Sequence, residues 1–247
     1  MTINFDAESH TYERNGQEYH SASRIIKWFK PKFPKQFIAA AVAKRDGKTK
    51  KEVLAEWQLK ADIACHWGSY VHAVLEDIEL GPQKKLREYV PFNENDERNP
   101  DLIIPIVKSY KRWREKHSGK SIPEEKLWID DFFSCGTADL PIEYGTYFDL
   151  FDFKTNEELN DDNKYKKYFG GVLCHIADTK IQGYTLQLSL YAFMKKKLTG
   201  LEVGRLAILW IKADGEIEEI EIEYAEQDVI NMLLHYNPSY EHISKIK

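Results

Sequence analysis

The hydrophobic period changes midway along this chain, and that change restricts the fold more than any other feature. In "NPDLIIPIVKSYKRWREKH" the residues Ile103, Ile106, Val107, Tyr110 and Trp113 fall three and four apart, the pattern of an amphipathic helix entered through proline. From Lys126 to Thr155 the pattern becomes strand-like, in three segments: "KLWIDDFFS", "GTADLPIE" and "YFDLFDFKT", the last two joined by a turn at Tyr144-Gly145. A helix over about Lys180 to Leu198, two strands around Asp214-Gly215 and a final helix in "EQDVINMLLHY" follow. Helices, three strands, a helix and a strand pair predict an α/β fold on one mixed central β-sheet flanked by helices.

The N-terminal part reads as an elaboration of that core. "HTYERNGQEYHS" alternates around Asn15-Gly16, the dipeptide a type I′ turn favours, and predicts a β-hairpin. Ser21 can cap a short helix in "ASRIIKWF" that stops near Pro31. "KQFIAAAVAKRDGK" continues as helix to Gly47, and a long helix runs from about Thr49 to Leu80 with Gly81-Pro82 as its stop. With no repeats and no low-complexity linker, the 247 residues are expected to form one domain. Hairpin and helices take residues 1–60, the core 61–200, and the last strands and helix 201–247.

Composition narrows the partners. Cys65, Cys135 and Cys174 are far apart and suit neither a disulfide framework nor a CxxC metal knuckle, and "MTINFDAESH" has no basic region leading into an apolar run. A reduced, cytoplasmic protein is the expectation. No apolar run approaches the roughly 20 residues of a membrane span. The net charge of -5 argues against indiscriminate nucleic-acid binding. It nevertheless hides basic runs at 24–35, 44–51, 164–167 and 195–197, the first and third interleaved with aromatics. Such runs are either solvated faces or the lining of a groove.

The strand segments bury acids. If Asp139 and Asp152 sit on adjacent strands, two carboxylates at close range need a positive charge between them. Mg²⁺ supplies one, taking oxygen ligands and leaving open positions for a phosphate oxygen and a water. In Asp152-Phe153-Lys154 the strand period puts acid and lysine on one face, with the Phe153 carbonyl between them. A lone Asp-x-Lys is also an ordinary surface pair, but the flanks in "FDLFDFKT" are apolar on both faces, where an unpartnered charge is costly. On the long helix, Gly68, His72 and Glu76 share a stripe beside Trp67, Val71, Leu75 and Ile78. His72 can be a nitrogen ligand or a core histidine. Gln187 and Tyr191 are again four apart, able to support a site or merely satisfy each other.

Gly-x-x-x-His-x-x-x-Glu, Gly-Thr-x-Asp, Asp-x-Lys-Thr and Gln-x-x-x-Tyr, in that order, resemble the RecB-type branch of the PD-(D/E)XK nuclease superfamily. "FDAESHTYERNGQEYHSASRII" and "YFGGVLCHIADTKIQGYTLQLSLYAF" look like the phage-encoded exonucleases of that branch, related to the mitochondrial genome maintenance exonucleases. The resemblance runs from about residue 4 to 195. It implies a restriction-endonuclease-like core and a Mg²⁺- or Mn²⁺-dependent deoxyribonuclease, exonucleolytic on DNA ends, single- or double-stranded, in DNA processing or recombination. If phage-encoded, it would work in the host cytoplasm, with a single-strand-binding or recombination protein as a possible partner.

By position, the resemblance makes His72, Asp139, Asp152 and the Phe153 carbonyl metal ligands and Lys154 the catalytic lysine. Gln187 and Tyr191 would support the site and contact DNA, with Glu76 and Thr155 behind the ligands. Lys164, Tyr165, Lys166, Lys167 and Tyr168, in the loop Asn156 to Gly171, either reach over bound DNA or form a solvated connector; Phe169 is a further stacking candidate. The chain has no cysteine beyond Cys174, so the iron-sulfur cluster of some relatives is not expected. Removing Asp139 is expected to relieve repulsion in the metal-free protein. The rival reading is a catalytically silent DNA-binding or assembly protein on the same fold.

Overall fold

The computed structural model describes residues 3–6, 11–81, 85–159 and 162–237. Its elements in chain order begin with β1 (Asn4–Asp6), β2 (Thr11–Arg14), β3 (Gln17–Ser21), α1 (Ala22–Phe29), α2 (Lys35–Asp46), α3 (Lys50–Leu80) and α4 (Ile103–Arg114). There follow β4 (Lys120–Ser121), β5 (Glu125–Ile129), β6 (Ser134–Ala138), β7 (Leu140–Glu143), β8 (Tyr147–Lys154), α5 (Lys180–Thr199), β9 (Glu202–Ile211), β10 (Ile217–Ile222) and α6 (Glu226–His235). No helix of the described residues is long and apolar enough to cross a membrane.

The expected single sheet is two. One has strand order β1-β2-β3-β6-β5 and the other β10-β9-β8-β7-β4, and both are mixed. β3 pairs with β6 in parallel and β8 with β9 in parallel, while the remaining ladders are antiparallel. The segment "GTADLPIE" therefore does not form one strand. It breaks at Asp139, the residue between β6 of the first sheet and β7 of the second.

Local chemistry explains most boundaries. Asn15 and Gly16 both take positive φ, 54° and 76°, as a type I′ hairpin turn demands. Ser21 Oγ accepts the Arg24 N–H and opens α1. Thr49 and Glu52 cap α3 reciprocally, each side chain accepting the other's backbone N–H. Gly81 ends that helix, and Pro82 lies outside the described residues.

Alternate residues of β8 and β9 serve two cores. Phe148 and Leu150 of β8, with Leu206 and Ile208 of β9, pack on α1, α5 and α6. Phe151 and Phe153, with Ala207, Leu209 and Ile211, pack on Trp67, Val71, Val74 and Leu75 of α3 and on the α4 stripe from Ile103 to Trp113. The second sheet is thus covered on both faces, and each buried large side chain contributes about 1.5–3 kcal/mol. Asp152 and Lys154 continue the α5-side row of β8 to its last residue, where the strand emerges beside α3.

Two further expectations fail. Lys195, in the basic run 195–197, is fully buried. Phe169, counted among the stacking aromatics, is 2% exposed and belongs to the core under α1 and α5.

Candidate active site

The end of β8 brings together the chemistry the sequence had spread over four segments. Leu140 of β7 pairs with Phe151 of β8, so Asp139 and Asp152 fall opposite one another as the two strands part. Asp139 Oδ2 accepts the Phe153 N–H at 2.8 Å, which fixes the carboxylate over the strand end. His72 reaches the same spot from α3: its Nε2 lies 3.2 Å from the Phe153 carbonyl and its Nδ1 3.5 Å from Asp139 Oδ2. A carbonyl only accepts, so this contact places the proton on Nε2 and leaves Nδ1 turned toward the acids.

A second acid completes the group. Glu124, just before β5, lies with Oε1 3.9 Å from His72 Nδ1. One ligand atom each from His72, Glu124 and Asp139 fall within 4.8 Å of one another. Glu124 holds a left-handed backbone, φ 51°, and its N–H donates to the Asp139 carbonyl at 2.9 Å. A non-glycine residue in that region is strained, and here the strain directs a carboxylate at the site. Nothing in the periodicity around "SIPEEKLW" sets Glu124 apart from Glu125; only the backbone conformation does.

Asp152 is 2% exposed and forms an ion pair with Lys154. Its Oδ2 accepts no further hydrogen bond from the described residues. Lys154 Nζ also donates to the Phe153 carbonyl at 3.3 Å and sits 4.8 Å from the centre of the Tyr184 ring. The Tyr184 hydroxyl donates to Asn156 Oδ1 at 2.9 Å, so α5 holds the lysine from one side through a tyrosine that the motifs do not include.

The electrostatics follow from this crowding. Burial and the nearby Asp139 push the Asp152 carboxyl up to about 6, against the pull of Lys154. Burial works against the Lys154 ammonium, but Asp152 and Asp139 outweigh it and raise its pKa, so the lysine stays charged. Burial likewise opposes charge on His72, yet Asp139, Glu124 and Asp152 bring it to about 9. Without a bound cation the imidazole therefore carries a second proton, on Nδ1, serving as the positive charge the acids need.

The residues suit a hard divalent ion. Two carboxylates and one imidazole nitrogen converge, and the cations beside them among the described residues are protonated His72 and the Lys154 ammonium. Asp152 stands alongside, engaged by the lysine, and the Phe153 carbonyl is engaged by both His72 and Lys154.

His72, Glu124, Phe153 and Lys154 line an open cleft of about 1010 Å³ together with Lys60, Arg98 and Lys180, whereas Asp139 and Asp152 do not line it themselves. Glu76 and Thr155 line it too. A Cβ on Gly68 would come within 3.2 Å of Thr155 Oγ1, so glycine on α3 admits a neighbouring side chain. Gln187 Nε2 donates to the Tyr191 hydroxyl at 3.0 Å. Tyr191, only 6% exposed, packs on β6 so closely that a Cβ on Gly136 would lie 2.3 Å from its ring. Neither Gln187 nor Tyr191 lines the cleft. Lys164, Tyr165, Lys166, Lys167 and Tyr168 do not line the cleft.

No protein-family model and no curated protein matches this chain. Among solved structures it is similar to an exonuclease candidate from Eubacterium rectale, with 17% identity, 87% of this chain and 77% of that one covered, and a TM-score of 0.44. It is also similar to SSO0001, with 15% identity, 57% and 63% covered, and a TM-score of 0.29. Neither overlap is high enough to argue from.

Proposed function

We propose that the chain is a metal-dependent deoxyribonuclease of the RecB-type PD-(D/E)XK kind, cutting DNA from ends in a phage-type processing or recombination role. One observation carries this reading: the buried Asp152, paired with Lys154, stands beside a His72–Glu124–Asp139 cluster of which His72 and Glu124, like Lys154, line an open cleft.

Asp139, Glu124 and His72 Nδ1 would hold the ion, Mg²⁺ or Mn²⁺, with Asp152 beside them. A bound divalent ion supplies polarisation of a phosphoryl oxygen and neutralises developing negative charge. Because its pKa is raised, Lys154 keeps its proton and does not act as a general base. Its ammonium orients the attacking water and offsets charge on the phosphoryl oxygens as the 3′ oxygen leaves. The Phe153 carbonyl keeps the His72 proton on Nε2, and Tyr184 with Asn156 keeps Lys154 in place. Lys60, Arg98 and Lys180 line the cleft where phosphates on either side of the cut bond can lie.

End-labelled linear DNA and circular DNA, incubated with Mg²⁺, Mn²⁺ or EDTA beside Lys154→Ala, test the reading. Shortening of linear DNA only, lost in EDTA and in the variant, is the expected result. Binding without cutting under every condition would instead make the chain a silent DNA-binding protein.

A further inference from the structure

The two basic, aromatic runs of the sequence meet in space, away from the cleft. Phe33, between α1 and α2, is 58% exposed, and Tyr165 is 82% exposed. Lys167 Nζ stands 5.9 Å from the Phe33 ring centre and 5.8 Å from that of Tyr165, joining segments far apart in the chain. Tyr168, half exposed, is next in line.

The turn carrying these side chains is built. Asn163 clamps Lys167 at both ends of its backbone, accepting its N–H at 2.8 Å and donating to its carbonyl at 2.7 Å. The Asp178 N–H donates to the same carbonyl at 2.9 Å, and the Gly170 N–H to the Phe29 carbonyl at 2.7 Å. Lys166 takes a positive φ of 47°, the tight reversal that lets Tyr165 project. A turn whose backbone is held this way has less freedom to lose on binding.

Charge says what they would bind. Lys32 and Lys35 flank Phe33, and Lys164 and Lys166 flank Tyr165. Opposing them are Asp162, 3.8 Å from Lys164, and Asp178, 3.6 Å from Lys30. On a chain of net charge -5 this is a local cationic surface bearing exposed rings, with Lys167 over one face of each. A duplex hides its base faces by stacking; an unpaired strand offers bases to rings and phosphates to lysines.

Placement ties it to the cleft. Lys180, at the start of α5, lines the cleft; one turn on, a Cβ on Gly183 would come within 3.1 Å of Lys30 Nζ. Asn156 and Glu157 line the cleft and begin the loop that ends in this turn. We infer that Phe33, Tyr165 and Lys167 form a second nucleic-acid site outside the cleft, specific for single-stranded DNA. It would hold the unpaired part of a strand whose end is in the cleft, and so rests on the nuclease reading.

Fluorescence anisotropy in EDTA, where nothing is cut, tests it with labelled oligo(dT) and a blunt duplex of equal length. Oligo(dT) should bind more tightly than duplex. Phe33→Ala and Tyr165→Ala should each weaken oligo(dT) about tenfold, and Lys167→Gln should lower the log–log salt slope by about 0.7. Equal affinity for duplex and single strand, wild-type affinity in both ring variants, or no binding overturns the proposal. Both rings are exposed, and unchanged melting curves confirm folded variants. Failure of the nuclease reading shows separately, as no cutting by the wild type in Mg²⁺ or Mn²⁺.

Discussion

Among the described residues, Lys195 and Lys154 are both paired with acids, and they are enclosed to different degrees, Lys154 keeping 15% of its side chain exposed. Lys195 is fully enclosed, with Nζ 2.7 Å from Glu125 and 2.8 Å from Glu143, so α5 is clamped to β5 of one sheet and to β7 of the other. Lys154 faces a large cleft, and its carboxylate partner Asp152 has an oxygen with no other hydrogen bond from the described residues. Around Lys195 one cation meets two acids and the set is closed. Around Lys154 three acids meet one ammonium and one protonated imidazole in a space open to ligand. Each set holds one more acid than it has cations, so access rather than net charge separates them: the enclosed lysine holds the fold together, and the set on the open cleft is poised for a further cation.

Replacing each lysine in turn is the sharpest way to break this comparison. Lys154→Ala should lower DNA cleavage about a thousandfold, since the charge facing the reacting phosphate is gone, and should leave the protein folded. Lys195→Ala should do the reverse, costing about 3–5 kcal/mol in urea unfolding because the partly buried Glu125 and Glu143 both lose their cation. The folded fraction should still cut DNA. If Lys195→Ala loses activity without stability, or Lys154→Ala loses stability alone, the two sites have been assigned the wrong way round.

Asp139 separates the groups next. Its carboxylate accepts the Phe153 N–H and faces the protonated His72, so it is not simply a repelling neighbour of Asp152. Contrary to what strand adjacency alone suggests, Asp139→Ala should destabilise the metal-free protein by about 1–3 kcal/mol, and Mn²⁺ should no longer raise its melting temperature. Asp139→Asn retains an acceptor for Phe153 and should recover most of the stability without the metal effect. Calorimetric melts with and without Mn²⁺ read both.

The pH dependence of ion binding comes from His72. Its folded pKa, about 9, lies above the ordinary 6.5, so its protonation stabilises the metal-free fold fully below pH 6.5, and that contribution is lost as pH rises through about 9. A cation on Nδ1 must displace the proton. Apparent Mn²⁺ affinity should therefore rise about tenfold per pH unit through neutrality and level off near pH 9. Titration calorimetry in buffers of different ionisation enthalpy should show about one proton released per ion. A flat profile would mean His72 is neutral in the free protein or is no ligand.

Much of this was legible in the sequence, and what was not has a common cause. The long helix α3, the α4 stripe and the Asn15-Gly16 hairpin depend on neighbours within a few residues, and all form as the pattern predicts. The pairing of Asp152 with Lys154 follows from strand period alone. The switch of sheets at Asp139 depends on which strands lie alongside, information that alternation does not carry. β1 and β4 are too short to show a period. Lys195 reads as surface because it stands in a run of three lysines, and only Glu125 and Glu143, both far away in sequence, reveal otherwise. Glu124 joins His72 across a similar separation and through a backbone angle no residue pattern announces.

That angle gives the smallest effect and the finest test. If Glu124 is held at φ 51° in order to aim its carboxylate, strain and ligation should separate on substitution. Glu124→Ala keeps the strained backbone and loses the ligand; Glu124→Gly loses the ligand but relaxes the backbone. The pair with His72, at 3.9 Å and partly exposed, is worth under about 1 kcal/mol and is lost in both. Relief of a left-handed residue amounts to about 1–2 kcal/mol, against about 0.5–1 kcal/mol for the added freedom of glycine in the unfolded chain. Glu124→Gly should therefore be the more stable of the two by under about 1 kcal/mol, while Mn²⁺ binds both variants equally weakly. The opposite order of stability would show an unstrained backbone. Wild-type Mn²⁺ affinity in both would remove Glu124 from the ligand set and leave His72 and Asp139 with only Asp152 to complete it, at the cost of releasing Lys154.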